Sequence, residues 1–131
     1  MFVDASAIVA ILAGEGDGSA LEARLDQAGP ISTSPVAIYE AVLGISRVLN
    51  VSVAVARAEV ENFLAEAGAR IIPITPEIGR EAIRAFDRFG RGRHPARLNM
   101  GDCFAYACAR SLDAPLLFKG DDFSQTDIAA G

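Results

Sequence analysis

The first seven residues constrain this chain more than any other stretch. Met1-Phe2-Val3 has the apolar character of a short buried strand, it ends on Asp4, and the helix-forming Ala5-Ser6-Ala7 begins at once. A buried strand that feeds straight into a helix belongs in an α/β sheet covered by helices. Such sheets bind ligands just beyond the carboxyl ends of their strands, so Asp4 stands where chemistry is expected.

The rest of the chain repeats the alternation. After the strand over 1–3, helices are expected over 5–13, stopped by Gly14, and over 19–28, where Leu21 and Leu25 share a face before Gly29-Pro30. A short strand over 31–33 leads to Ser34-Pro35, a cap followed by proline at the first helical position, and a helix to about Leu49. Ser52 caps a further helix within 51–67, closed by Gly68, and 70–74 reads as a strand. Thr75-Pro76 opens a helix to Phe89 with Ile78, Ala82, Ala85, Phe86 and Phe89 on its apolar side. A glycine-containing loop over 90–98, expected to be mobile, precedes a helix over 99–112 and a last strand over 116–118. The order is that of a mostly parallel, helix-covered sheet in a single domain, 1–131, with no repeat or linker.

Three further acids fall in similar punctuation: Glu40 after Ser34-Pro35, Asp102 after Asn99-Met100-Gly101, and the pair Asp121-Asp122 after Phe118-Lys119-Gly120. Helix N-termini favour negative charge, which is expected to keep Glu40 and Asp102 ionised. Ionised carboxylates suit a hard cation such as Mg²⁺, which takes oxygen ligands, far better than zinc. Each acid also has an ordinary structural use. Asp4 can cap the helix after it, Asp102 can close a capping box with Asn99, and Asp121 or Asp122 can serve the turn at Gly120. Glu40 is harder to excuse, because Val36, Ile38, Tyr39, Val42 and Leu43 make its helix largely apolar.

Composition narrows the class. With 12 basic and 17 acidic residues the net charge is −5, which argues against a surface that attracts nucleic acid everywhere. One segment departs from that balance: Arg84, Arg88, Arg91, Arg93, His94 and Arg97 face only Asp87. It reads either as a solvated helix face and loop or as phosphate attraction toward the acids. Lys119 likewise can neutralise phosphate or end a strand in solvent, and Ser6 can hold Asp4 or a metal-bound water with its hydroxyl or be an ordinary first-turn serine. The 51% hydrophobic content, at a mean hydropathy of +0.29, implies that some apolar surface meets a partner. Cys103 and Cys108 lack zinc-site spacing with the one histidine, His94, and read as reduced core thiols. No basic leader or membrane-length apolar run is present, so a cytoplasmic location is expected.

The opening Met1-Phe2-Val3-Asp4-Ala5-Ser6-Ala7, Tyr39-Glu40, the stretch from Gly92 through Asn99-Met100-Gly101-Asp102 to Ala107, and the segment from Pro115 through Gly120-Asp121-Asp122-Phe123 to Ile128 together resemble the PIN-domain ribonucleases that act as VapC toxins. The resemblance runs over essentially the whole chain. It implies a three-layer α/β/α fold, a Mg²⁺- or Mn²⁺-dependent endoribonuclease acting on structured RNA such as tRNA, a homodimer, and inhibition by a cognate antitoxin protein. It assigns Asp4, Glu40 and Asp102 to the acidic site, with Asp4 and Asp102 as direct metal ligands. The fourth acid is Asp121 or Asp122; the family keeps the acid before the Phe, which favours Asp122.

Other classes fit less well. A receiver-like phosphotransfer domain needs an aspartate at the end of a middle strand, where this chain has Ser32-Thr33-Ser34, and paired acids near the first strand. A haloacid-dehalogenase-like phosphatase needs a second aspartate where Ser6 stands. A catalytically silent PIN-like protein-binding module is the remaining alternative, disfavoured because all four acid positions are filled.

Overall fold

The computed structural model describes residues 1–131. Four strands, β1 (Phe2–Val3), β2 (Ser32–Thr33), β3 (Arg70–Ile71) and β4 (Leu116–Leu117), form one sheet of order β3-β2-β1-β4. All three pairings are parallel, with Phe2 opposite both Ser32 and Leu116 and Ser32 opposite Arg70. The helices are α1 (Ala5–Leu12), α2 (Gly18–Gln27), α3 (Pro35–Leu49), α4 (Val53–Glu66), α5 (Pro76–Phe89) and α6 (Met100–Ser111).

The alternation of side chains along a strand divides the core into two layers. Phe2 and Leu116 point into a cluster with Ala82, Ala85 and Phe89 of α5 and Tyr106 of α6. Their neighbours Val3 and Leu117 point the other way, into a cluster with Ile8, Val42, Ile45 and Val60 from α1, α3 and α4. The result is a three-layer α/β/α fold. Since β2 and β3 lie on one side of β1 and β4 on the other, the strand order reverses between β1 and β4. The carboxyl edge of the sheet at such a reversal is the usual ligand position in open α/β folds.

Local sequence explains most helix ends. Ser34, Ser52 and Thr75 accept hydrogen bonds from the amides of Ala37, Val55 and Ile78, and Pro35 and Pro76 occupy first helical positions. Asn50, at φ 53°, turns the chain out of α3.

Two expectations need correction. The strand expected over 70–74 stops at Ile71: the Ile72 amide still donates to the Thr33 carbonyl at 2.9 Å, but β2 ends there, because Ser34 caps α3 and Pro35 already belongs to that helix, so the chain beyond Ile72 has no partner strand. The loop over 90–98, read as mobile, is closed on itself. Arg91 N donates to Leu98 O at 3.0 Å and Leu98 N to Phe89 O at 2.9 Å, while Ala96 and Leu98 are buried. His94 is part of this closure. Its Nδ1 accepts from Ala96 N at 3.0 Å and its ring meets Phe89 edge-on.

Candidate active site

Asp4 ends β1 and caps α1, and only 4% of it is exposed. Its Oδ2 accepts from the Ser6 amide at 3.0 Å and the Ser6 hydroxyl at 2.6 Å; that hydroxyl in turn accepts from the Lys119 amide at 3.0 Å. Ser6 thus ties the end of β1 to the end of β4, at the point where the strand order reverses. Holding the carboxylate, one of the uses read from the sequence for this serine, is observed.

Glu40 reaches the same edge from the second turn of α3, and Asp102 from the first turn of α6, in opposite layers of the fold. Asp102 forms the capping box expected of it. Its amide donates to Asn99 Oδ1 at 2.8 Å and its Oδ2 accepts from the Asn99 amide at 3.1 Å. The capping role and the site role therefore coexist in one side chain. Glu40 lies against the start of α6: a Cβ on Gly101 would overlap the Glu40 carboxylate. This dependence on Gly101 was not read from the sequence, where the glycine shows only as an interruption before an acid.

Electrostatics tie the acids together. Burial, then the charges of Asp4 and Asp102, push Glu40 up to about 7. Burial also pushes Asp102 up to about 6; the Asn99 amide opposes this, Asp4 and Asp122 add to it, and Arg91 offsets part of it. Asp4 is raised by burial against the lowering effect of its bonds to Ser6 and the Ala5 amide, and Asp122 adds to the rise. The expectation that helix N-termini lower the pKa values of Glu40 and Asp102 is thus overturned, since burial and like charge raise both, although Asp102, at about 6, remains mainly ionised at neutral pH. Asp121 and Asp122 both border a cleft of about 240 Å³ with Arg91, Arg97, Asn99, Asp102 and Gln125. Asp122 is the one whose charge bears on Asp4 and Asp102.

The basic residues sort themselves by partner. Arg84 pairs with Glu81, Arg88 with Asp127 and Arg93 with Asp87, whereas Arg91 and Arg97 border the acidic cleft. Lys119 does not border it: exposed just past the end of β4, it pairs with Glu15 and lies 3.9 Å from Asp17, which fits the reading of a solvated strand end rather than phosphate neutralisation. Cys103 and Cys108 are free and buried, their thiols pushed up to about 11 by burial, in keeping with inert core positions.

The donor set is oxygen only. No group of three or more His, Cys, Asp or Glu side chains is already closed to metal-binding distance. Magnesium does not require one, since it commonly takes one or two protein carboxylates and completes its octahedron with water and phosphate. Acids raised first by burial and then by one another's charge, with Arg91 offsetting the rise only at Asp102, fit a divalent ion.

The PIN domain family model matches residues 1–129. A VapC ribonuclease of Rhizobium meliloti (strain 1021) is 40% identical over 139 residues, spanning 97% of this chain and 98% of that protein. The chain belongs to the VapC ribonuclease family of PIN-domain proteins. Among solved structures, Mycobacterium tuberculosis VapC20, a sarcin–ricin loop cleaving toxin, superposes with a TM-score of 0.77 at 19% identity, over 99% of this chain and 97% of its own. A toxin–antitoxin complex from Klebsiella pneumoniae gives 0.70 at 15% identity, over 99% and 95%. At those identities the two superpositions establish the PIN fold. The acid-bearing positions of this VapC family member are then those at the carboxyl edge of the sheet: the end of β1, the second turn of α3, the start of α6 and the turn after β4.

Larger hollows lie elsewhere. A groove of about 520 Å³ runs past Arg70, Thr75 and Arg110, and an apolar one of about 590 Å³ between α5 and α6 is lined by Ile83, Phe86 and Met100. Asp4, Glu40, Asp102, Asp121 and Asp122 line neither. No helix is long and apolar enough to cross a membrane.

Proposed function

We propose that this chain is a Mg²⁺-dependent endoribonuclease, with Mn²⁺ as an alternative ion, and the toxin of a toxin–antitoxin pair. The observation that carries the reading is the convergence of Asp4, Glu40, Asp102 and Asp122 from separate segments at one end of the sheet, where burial and, after it, like charge raise the first three. Repulsion of this kind has no structural use, and a bound cation relieves it.

Asp4 and Asp102 would hold the cation, with Ser6 and the Asn99 backbone fixing their orientation. A divalent ion held there supplies charge stabilisation at a phosphodiester and a more acidic water. Glu40, pushed up to about 7, is matched to accept a proton from the attacking water near neutral pH. Asp122 completes the acidic ring. Arg91 and Arg97 border the cleft and would steer the RNA backbone by charge, a contact that positions without reading sequence.

The relatives support a substrate class: VapC20 is a sarcin–ricin loop cleaving toxin, that loop is a folded RNA, and we extend structured RNA, tRNA included, to this chain. The Klebsiella complex supports an antitoxin partner. Tyr39, Leu43, Val48 and Leu49 on α3, with Val53 and Val55 on α4, remain exposed while Ala41, Val42 and Ile45 are buried. We assign this apolar surface to a homodimer or antitoxin contact.

The test is cleavage of total cellular RNA by antitoxin-free protein with Mg²⁺, with Mn²⁺ and with chelator, beside Asp4→Asn. Asparagine keeps the cap on α1 and removes the charge. Discrete fragments that need the metal and fall at least about a hundredfold in the variant support the reading, an effect of the size expected when a catalytic group is removed. Equal cleavage by a folded Asp4→Asn would sink the mechanism, and no cleavage by the wild type would favour the silent binding module.

A further inference from the structure

The segment after β4 brings Asp122 to the acidic site and is then held by two anchors. Phe123, 2% exposed, inserts into the core with its ring centroid 5.0 Å from that of Phe118. Further along, Asp127 Oδ1 accepts a 2.6 Å hydrogen bond from the buried Tyr106 hydroxyl. Its Oδ2 lies 3.4 Å from Arg88 and 3.8 Å from Arg110. The two arginines are seated in turn, Arg88 over the Phe89 ring at 4.7 Å and Arg110 near the Tyr106 ring at 6.0 Å.

The stretch between the anchors is braced from within. Thr126 Oγ1 donates to Phe123 O at 2.7 Å and accepts from the Ile128 amide at 3.3 Å. Beyond it the chain runs alongside β4, Leu116 N donating to Ala129 O at 2.9 Å and Gly131 N to Leu116 O at 2.8 Å.

The placement is what matters. Tyr106 lies one helical turn beyond Asp102 on α6, and residues so spaced share a helix face. Asp102 and Tyr106 therefore form two rungs of one face, and the segment meets it with Asp122 at the first rung and Asp127 at the second. The interactions at the two rungs have opposite sign. Asp122 approaches Asp102 and Asp4, like charges in a partly desolvated site, which push the segment outward. Asp127 meets a phenol and two guanidinium groups, which pull it in. Neither Tyr106 nor Asp127 borders the acidic cleft.

We propose that Asp127 is a positioning residue: docked on Tyr106, Arg88 and Arg110, it holds the segment carrying Asp122 against α6 and so sets the affinity of the acidic site for its divalent ion. The inference rests on the nuclease reading above and adds a device to it. Without the second rung, the segment can relieve its repulsion by moving off, and the ion would lose the charge of Asp122.

The experiment is calorimetric titration of the full-length, RNA-free protein with Mg²⁺, beside melting temperature and the Mg²⁺ concentration for half-maximal cleavage. The proteins are wild type, Asp127→Ala, Tyr106→Phe, Asp122→Asn and the Asp122→Asn/Asp127→Ala double variant. Asp127→Ala is expected to weaken Mg²⁺ binding about tenfold, the low end for an outer support of a metal site. Tyr106→Phe should shift affinity the same way by less, and it carries the test if Asp127→Ala does not fold. In the Asp122→Asn background, Asp127→Ala should change Mg²⁺ affinity no further. Two results would overturn the inference alone: lower melting temperatures with Mg²⁺ affinity untouched, or the same loss of affinity with and without Asp122. A wild type that binds no Mg²⁺ would instead remove the nuclease reading and this inference with it.

Discussion

At the residue scale, Gly101 shows how the acidic site is built, because the Glu40 carboxylate occupies the space that a Cβ at position 101 would need. Gly101→Ala must push that carboxylate aside. The displaced group is the end of a flexible side chain, so the stability cost should fall at or below the ~1–3 kcal/mol typical of overpacking. Cleavage should nevertheless drop at least about tenfold, as expected when a general base is misplaced. The decisive comparison is Glu40→Ala with and without Gly101→Ala: once Glu40 is gone, the alanine should cost neither stability nor further activity. Full activity in Gly101→Ala would remove Glu40 from the account. The sequence made the four acids legible because each interrupts an apolar or helical pattern. It hid their ionisation, since helix position was visible while shared burial was not. It also hid Asp127 and Tyr106, which look in the sequence like a turn residue and a core aromatic.

At the element scale, the strands, helices and caps were readable from Ser34-Pro35, Ser52 and Thr75-Pro76, which act through neighbours in the chain. What could not be read was set by packing between distant segments. The ladder of β3 ends where its partner β2 gives way to α3 after Thr33, and the 90–98 segment closes through Leu98, whose burial is a tertiary fact. The crossing of α1 and α3 is another such fact. A Cβ on Gly44 would come within 2.9 Å of Val9 Cγ2, and valine is stiff at χ1 in a helix. Gly44→Ala gains about 1 kcal/mol of helix propensity, set against an overpacking cost of ~1–3 kcal/mol. It should therefore be neutral to destabilising alone and stabilising in a Val9→Ala background. Denaturant unfolding of the four proteins in the cycle measures this; additive free energies would mean that the two helices do not meet as tightly as described.

At the scale of the whole molecule, the net charge of −5 is spread over the surface, but the charge that matters is gathered at one end of the sheet. Glu40 and Asp102, at about 7 and about 6, hold protons in the folded protein at pH values where the unfolded chain has released them. Their contribution to metal-free stability is therefore fully present below their ordinary values of 4.5 and 3.8, and it is lost as pH rises through about 6 and then about 7. Mg²⁺ competes with the same protons, so its stabilising effect must grow as they leave. The most direct measurement is the rise in melting temperature produced by millimolar Mg²⁺, followed from about pH 5 to about pH 8 in the wild type and in Asp102→Asn. The account predicts a shift that is small at the acid end, increases through neutrality and largely disappears in the variant. A shift that is absent at every pH, or that Asp102→Asn leaves unchanged, would contradict the claim that these carboxylates form a divalent-cation centre.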